Sequence, residues 1–205
     1  MTISLSDLGK RFNREWVFRH FNYEFKTGGS YAITGPNGSG KSTLLQVIGG
    51  MILSTEGKLD YSLDGKIIST ENVFLQIGFC APYLELIEEM TLTEFLSFHE
   101  KFKPFIKDIQ SNIVPSLLGL ENSANKQIRY FSSGMKQRVK LAQSFFSDTP
   151  VLLLDEPCTN LDLDGISWYH SLVEKYSKDR IVLVSSNDEV EYSFCSEKVS
   201  MGKYK

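Results

Sequence analysis

Residues 35 to 43 read GPNGSGKST, and no other stretch limits the possible folds so sharply. Gly35, Gly40, Lys41 and Ser42 satisfy G-x-x-x-x-G-K-[ST]. Ahead of them Ser30-Tyr31-Ala32-Ile33 is a mostly apolar run suited to a strand. Behind them Leu44, Leu45, Val47 and Ile48 open a helix that Gly49-Gly50 can end. Glycines permit backbone conformations closed to other residues, so successive N–H groups can turn inward around phosphate oxygens. The helix adds unpaired N–H groups and a partial positive charge at its first turn. The loop Gly35-Pro36-Asn37-Gly38-Ser39-Gly40-Lys41-Ser42-Thr43 is therefore read as a nucleotide phosphate site. Lys41 supplies a full charge for the β- and γ-phosphates, and the Ser42 hydroxyl can sit on Mg²⁺.

A phosphate loop needs acids from elsewhere. Asp155-Glu156-Pro157 follows Val151-Leu152-Leu153-Leu154, a run apolar at every position that suits a strand covered on both faces. Asp155, first after the apolar run, suits the metal through water; Glu156 suits the base that orients an attacking water. Acids after strands also cap helices, so the pairing with the phosphate loop carries the assignment.

The 205 residues fit one sizeable α/β domain. A net charge of −3 gives no electrostatic case for a nucleic-acid partner. No apolar run reaches the length of a membrane span, and no signal peptide opens the chain. Cys80, Cys158 and Cys195 are too few and too scattered for a disulfide framework or a metal cluster, which fits a reduced, cytosolic compartment.

Strand candidates in the opening third are Ile3 to Leu5, Trp16 to Phe25 and Tyr31 to Thr34. The aromatics there read as core or sheet-face residues, except Phe12, which sits at a turn and can either pack or stack on adenine. Lys58 to Leu63 and Lys66 to Ile68 flank Asp64-Gly65 as a hairpin. Ile77 to Cys80 is a further buried strand. Thr91 and Glu94 have capping-box spacing, with Phe95, Phe98 and Phe102 on one face behind them. His99 on that helix reads as a surface or packing residue. Pro104, and Pro115 with Gly119, break the region into short helices, and Glu121 to Lys126 reads as a loop. Leu161 to Tyr176 follows as a helix, then Ile181 to Val184 as another buried strand. This order describes a P-loop, mainly parallel α/β core with an N-terminal antiparallel β-subdomain and an inserted helical subdomain. The core covers about 1–87 and 148–205, the insertion about 88–147. The ligand belongs at the carboxyl ends of the strands.

Phe131-Ser132-Ser133-Gly134-Met135 opens a helix whose apolar face is Met135, Val139, Ala142 and Phe146. By itself this is an N-capped helix or a second anion site. With it, nearly the whole chain resembles the nucleotide-binding subunits of ATP-binding cassette (ABC) transporters. GPNGSGKST looks like their Walker A and VLLLDEP like their Walker B. FSSGM resembles the signature usually written LSGGQ, and Thr159-Asn160-Leu161-Asp162 looks like the D-loop. Phe12 falls where that family places its adenine-stacking aromatic.

The resemblance implies an ATPase that uses ATP and Mg²⁺. Two copies, or one copy and a related ATPase chain, would pair head to tail. Each ATP would lie between the Walker motifs of one chain and Ser132, Ser133 and Gly134 of the other. An integral membrane permease would be the further partner, holding the protein on the inner face of the cell membrane. The small size of the chain resembles export-type subunits, including the haem exporter of cytochrome c maturation. Two positions depart from the family. Pro82 stands where a glutamine contacting Mg²⁺ is usual. Asn187 stands where a histidine near the γ-phosphate is usual, and asparagine donates hydrogen bonds but neither bears charge nor relays a proton near neutral pH. These losses bear on hydrolysis rate and coupling rather than on nucleotide binding. The rival readings are an ATP-binding regulatory or soluble module with little turnover, and a P-loop kinase, which leaves FSSGMKQR unexplained.

Overall fold

The protein is described by a computed structural model covering residues 1–205. It has two compact units. The first comprises Met1–Phe79, Pro150–Glu156 and Asp179–Lys205, and the second Cys80–Thr149 and Pro157–Lys178.

The first unit contains two sheets. One is antiparallel, with β1 (Thr2–Phe12), β2 (Glu15–Lys26), β4 (Glu56–Leu63) and β5 (Lys66–Ile68) in the order β2-β1-β4-β5. Ile3, Leu5 and Leu8 of β1 and Phe18, Phe21 and Phe25 of β2 are buried. The register shifts between Leu5 and Leu8, where Asp7 takes φ 51°. That bulge keeps Leu8 on the core face although it lies three residues after Leu5. Asp64 and Gly65 have φ of 50° and 76°, the left-handed turn that a two-residue hairpin requires.

The other sheet runs β6 (Ile77–Cys80), β7 (Val151–Asp155), β8 (Ile181–Ser185), β3 (Ser30–Thr34) and β9 (Glu197–Ser200), in that order. β3 pairs in parallel with β8 and β9, and β7 with β8. Every residue of β7 and β8 is buried, as their unbroken apolar runs predict. β9 was not expected. Only Val199 in it is buried, so a polar edge strand leaves almost no pattern to read. α1 (Lys41–Ile48) follows the phosphate loop and buries Leu44, Leu45, Val47 and Ile48.

The second unit is helical, with α2 (Leu92–Phe102), α3 (Val114–Leu117), α4 (Ser133–Phe146) and α5 (Leu163–Tyr176). α2 starts with the expected capping box. Its aromatic stripe enters the core only at Phe95, since Phe98 and Phe102 are 39% and 63% exposed. His99 packs between the rings of Phe95 and Phe105, and a ring nitrogen lies 2.9 Å from Ser147 Oγ. Burial, with the Lys103 charge nearby, pushes its pKa down to about 4. Pro115 does not break a helix. It sits in the first turn of α3, where a missing N–H costs nothing, and Gly119 at φ 66° makes the stop. α5 begins two residues later than Leu161, because the Asp162 carboxylate caps the Gly165 N–H at 2.8 Å. No helix is long and apolar enough to cross a membrane.

Candidate functional site

The glycine-rich loop joins β3 to α1 at the carboxyl end of the parallel sheet. Gly40 has φ 97°, and a Cβ there would stand 2.6 Å from Val17 Cγ1, so backbone strain and lack of space both require glycine. Lys41 is buried and turns back over its own loop, donating to the Gly35 carbonyl at 2.8 Å and the Pro36 carbonyl at 3.5 Å. No acid occupies the first turn of α1, so nothing there opposes the lysine charge or the helix N-terminus. Ser42 and Thr43 are half-buried, Pro36, Asn37 and Gly38 are exposed, and Ser39 is buried with its hydroxyl unpartnered.

β7, β8 and β3 are neighbours, and their carboxyl ends gather the other groups of this unit. Asp155 closes β7, is 2% exposed, and its Oδ1 has no hydrogen-bond partner. Glu156 is exposed at φ 44°, a strained position for a residue that precedes proline. Its N–H donates to the Ser185 carbonyl at 2.9 Å. Asn187 Nδ2 donates to Asn37 Oδ1 of the phosphate loop at 3.0 Å. Thus Lys41, the Asp155-Glu156 pair and Asn187, three stretches far apart in sequence, belong to one strand-end region.

The residues present suit a magnesium ion. A buried carboxylate oxygen without a partner is costly and calls for a cation or a donor. The chain has no cluster of three His, Cys, Asp or Glu able to hold a metal alone. Mg²⁺ is ordinarily held by one or two carboxylates, substrate phosphates and waters, so Asp155 with the Ser42 hydroxyl is a fitting donor set. Ser185, the register partner of Asp155, escaped the sequence reading. Its only signal is a hydroxyl closing an apolar strand.

Phe12 ends strand β1 and does not lie in the turn, which begins at Asn13 with φ 52°. The ring is 49% exposed, with Lys10 Nζ 4.8 Å from its centroid. Phe12, Trp16 and Gly38 line one open cleft of about 670 Å³. Trp16, expected in the core or on the sheet face, is half-buried, with the Arg19 and Arg11 guanidinium carbons 4.2 and 5.1 Å from its ring centroid.

In the second unit, Ser132 caps α4 by accepting the Met135 N–H at 3.2 Å, beside exposed Ser133. Ser132, Ser133 and Gly134 share a pocket of about 330 Å³ with Arg138 and Asn160-Leu161-Asp162. A Cβ on Gly134 would stand 3.0 Å from the Asn160 carbonyl, so this glycine permits close packing of the two stretches. Pro82 has no side-chain donor or acceptor, but its carbonyl accepts from Lys140 Nζ at 2.8 Å.

A parallel sheet that feeds a glycine-rich loop and a helix, with an acid ending a nearby strand, defines a P-loop NTPase core. The model of the ABC transporter family matches residues 18–159. The uncharacterized ABC transporter ATP-binding protein YybJ of Bacillus subtilis is 30% identical over 97% of this chain and 92% of its own length. The lantibiotic transport ATP-binding protein SrtF of Streptococcus pyogenes is 30% identical over 93% of this chain and 82% of its own. Among solved structures, the dimeric ATP-binding cassette MJ0796 bound to ADP and Pi has a TM-score of 0.82 at 24% identity, covering 97% of this chain and 93% of that one. The chain belongs to the ABC transporter family and is an ATP-binding, ATP-hydrolysing transporter subunit.

Proposed function

We propose that this subunit drives a separate membrane permease, and that two copies, or one copy and a related ATPase chain, close on ATP. The observation that carries the reading is the gathering of Lys41, Asp155, Glu156 and Asn187 at the carboxyl ends of adjacent strands. The phosphate loop and Lys41 would hold the triphosphate, and Phe12 would stack on adenine. Ser42 and Asp155 would hold magnesium, which when bound neutralises charge on the phosphate oxygens. Glu156 accepts a proton from the attacking water. Asn187 donates a hydrogen bond toward the γ-phosphate in place of its contact with Asn37. Ser132, Ser133 and Gly134 of the opposite copy supply hydroxyl and N–H donors to the same phosphates. ATP then favours the closed pair through contacts made only in that state. Residues about 88–147 meet the permease, which brings the protein to the inner face of the membrane and selects the cargo. A relative named for lantibiotic transport supports a permease partner.

Phosphate release by the purified protein, alone and with its permease, tests this. Glu156→Gln is expected to lower turnover by about 10²–10⁴-fold while ATP still binds. Wild-type turnover no higher than that of the variant, with or without the permease, would leave an ATP-gated module without hydrolysis.

A further inference from the structure

Ser185 ends β8 with a side chain 0% exposed and a hydroxyl without a partner. Four apolar residues, Ile181 to Val184, precede it in the strand. An alanine would fill the same place without burying an unpaired hydroxyl, so packing gives no reason for serine here. Two further facts fix where the residue stands. It is the register partner of Asp155, and paired residues of adjacent parallel strands point to the same face of a sheet. Asp155 also carries a buried oxygen without a partner. On the main-chain side, the Ser185 carbonyl accepts the N–H of strained Glu156. One residue therefore adjoins both acids, Asp155 by its place in the register and Glu156 by its carbonyl.

We infer that Ser185 is a positioning residue for the metal carboxylate: its hydroxyl and Asp155 Oδ1 together hold a water of the shell around the cation that accompanies ATP. This rests on the magnesium assignment made above for Asp155. The neutral hydroxyl can donate to one partner and accept from another, so it orders a water without adding charge to the carboxylate.

The test is calorimetric binding of AMP-PNP to the full chain, in magnesium and in EDTA, for wild type, Asp155→Asn and Ser185→Ala. Wild type should bind more tightly in magnesium, and Asp155→Asn should lose that gain. Ser185→Ala should lose about 10-fold or more of it, the usual size of an outer-shell loss, with affinity in EDTA unchanged. Its melting temperature without nucleotide or metal should equal or exceed that of wild type, because an unpaired buried hydroxyl has been removed. A full magnesium gain in Ser185→Ala, or a lower melting temperature with that gain intact, would make the hydroxyl merely structural and overturn the inference alone. No magnesium gain in wild type, or none lost in Asp155→Asn, would sink the metal assignment and the inference with it.

Discussion

At the scale of single residues, the two glycines Gly40 and Gly119 separate function from folding. Both have left-handed φ, but only Gly40 faces a side chain at 2.6 Å, whereas the nearest atom to a Cβ at Gly119 is 3.9 Å away. Gly40→Ala is expected to cost about 1–3 kcal/mol in denaturant unfolding and to abolish ATP binding. Gly119→Ala should cost about 1 kcal/mol and leave ATP binding intact. The phosphate loop was legible because its chemistry sits in nine consecutive residues whose spacing the phosphates dictate. Asn187 was legible as a position, but its tie to Asn37 spans 150 residues and no local pattern announces it. Ser185 was missed for the same reason, since the register that sets it beside Asp155 exists only once β7 and β8 have paired.

At the scale of elements, α2 shows which signals survive folding. Its capping box is local chemistry and forms as read, with the Thr91 backbone N–H holding the Glu94 carboxyl below its usual range. Thr91→Ala should cost about 1 kcal/mol, measured by the urea midpoint. The stripe behind it misled, because helical spacing shows which residues share a face but not how far along the helix that face is covered. His99 gives the same helix an acid sensitivity. Its pKa of about 4 in the fold lies below the ordinary 6.5, so the unfolded chain takes up the proton first. The stabilisation is full above pH 6.5 and is lost as the pH falls from there toward 4. By pH 5 the loss is roughly 2 kcal/mol. In His99→Phe, the difference between the unfolding free energies at pH 7 and pH 5, from urea titrations, should narrow by that amount. Strands divided along another line: β7 and β8 were plain because burial on both faces demands apolar residues throughout, while β9 asks for one.

At the scale of the whole molecule, the second unit leaves large apolar side chains in water. Tyr83 is 45% exposed, and Phe98 and Phe102, whose rings touch each other, are 39% and 63% exposed. If this unit meets the permease, Phe98→Ser with Phe102→Ser should reduce co-purification with it severalfold while the isolated protein turns over ATP as before. Co-purification at the wild-type level would move the docking face elsewhere. The sequence conveyed that a helical segment stands apart from the sheet, but not which of its side chains stay uncovered, since that depends on packing among α2 to α5. Lys41 has a practical bearing on any such experiment. Its ammonium ties together the very turn it serves, through the carbonyls of Gly35 and Pro36. A Lys41→Ala variant, the obvious dead control, would thus compare two differently braced scaffolds rather than one scaffold with and without a charge. Glu156→Gln, whose side chain braces nothing, is the cleaner blank.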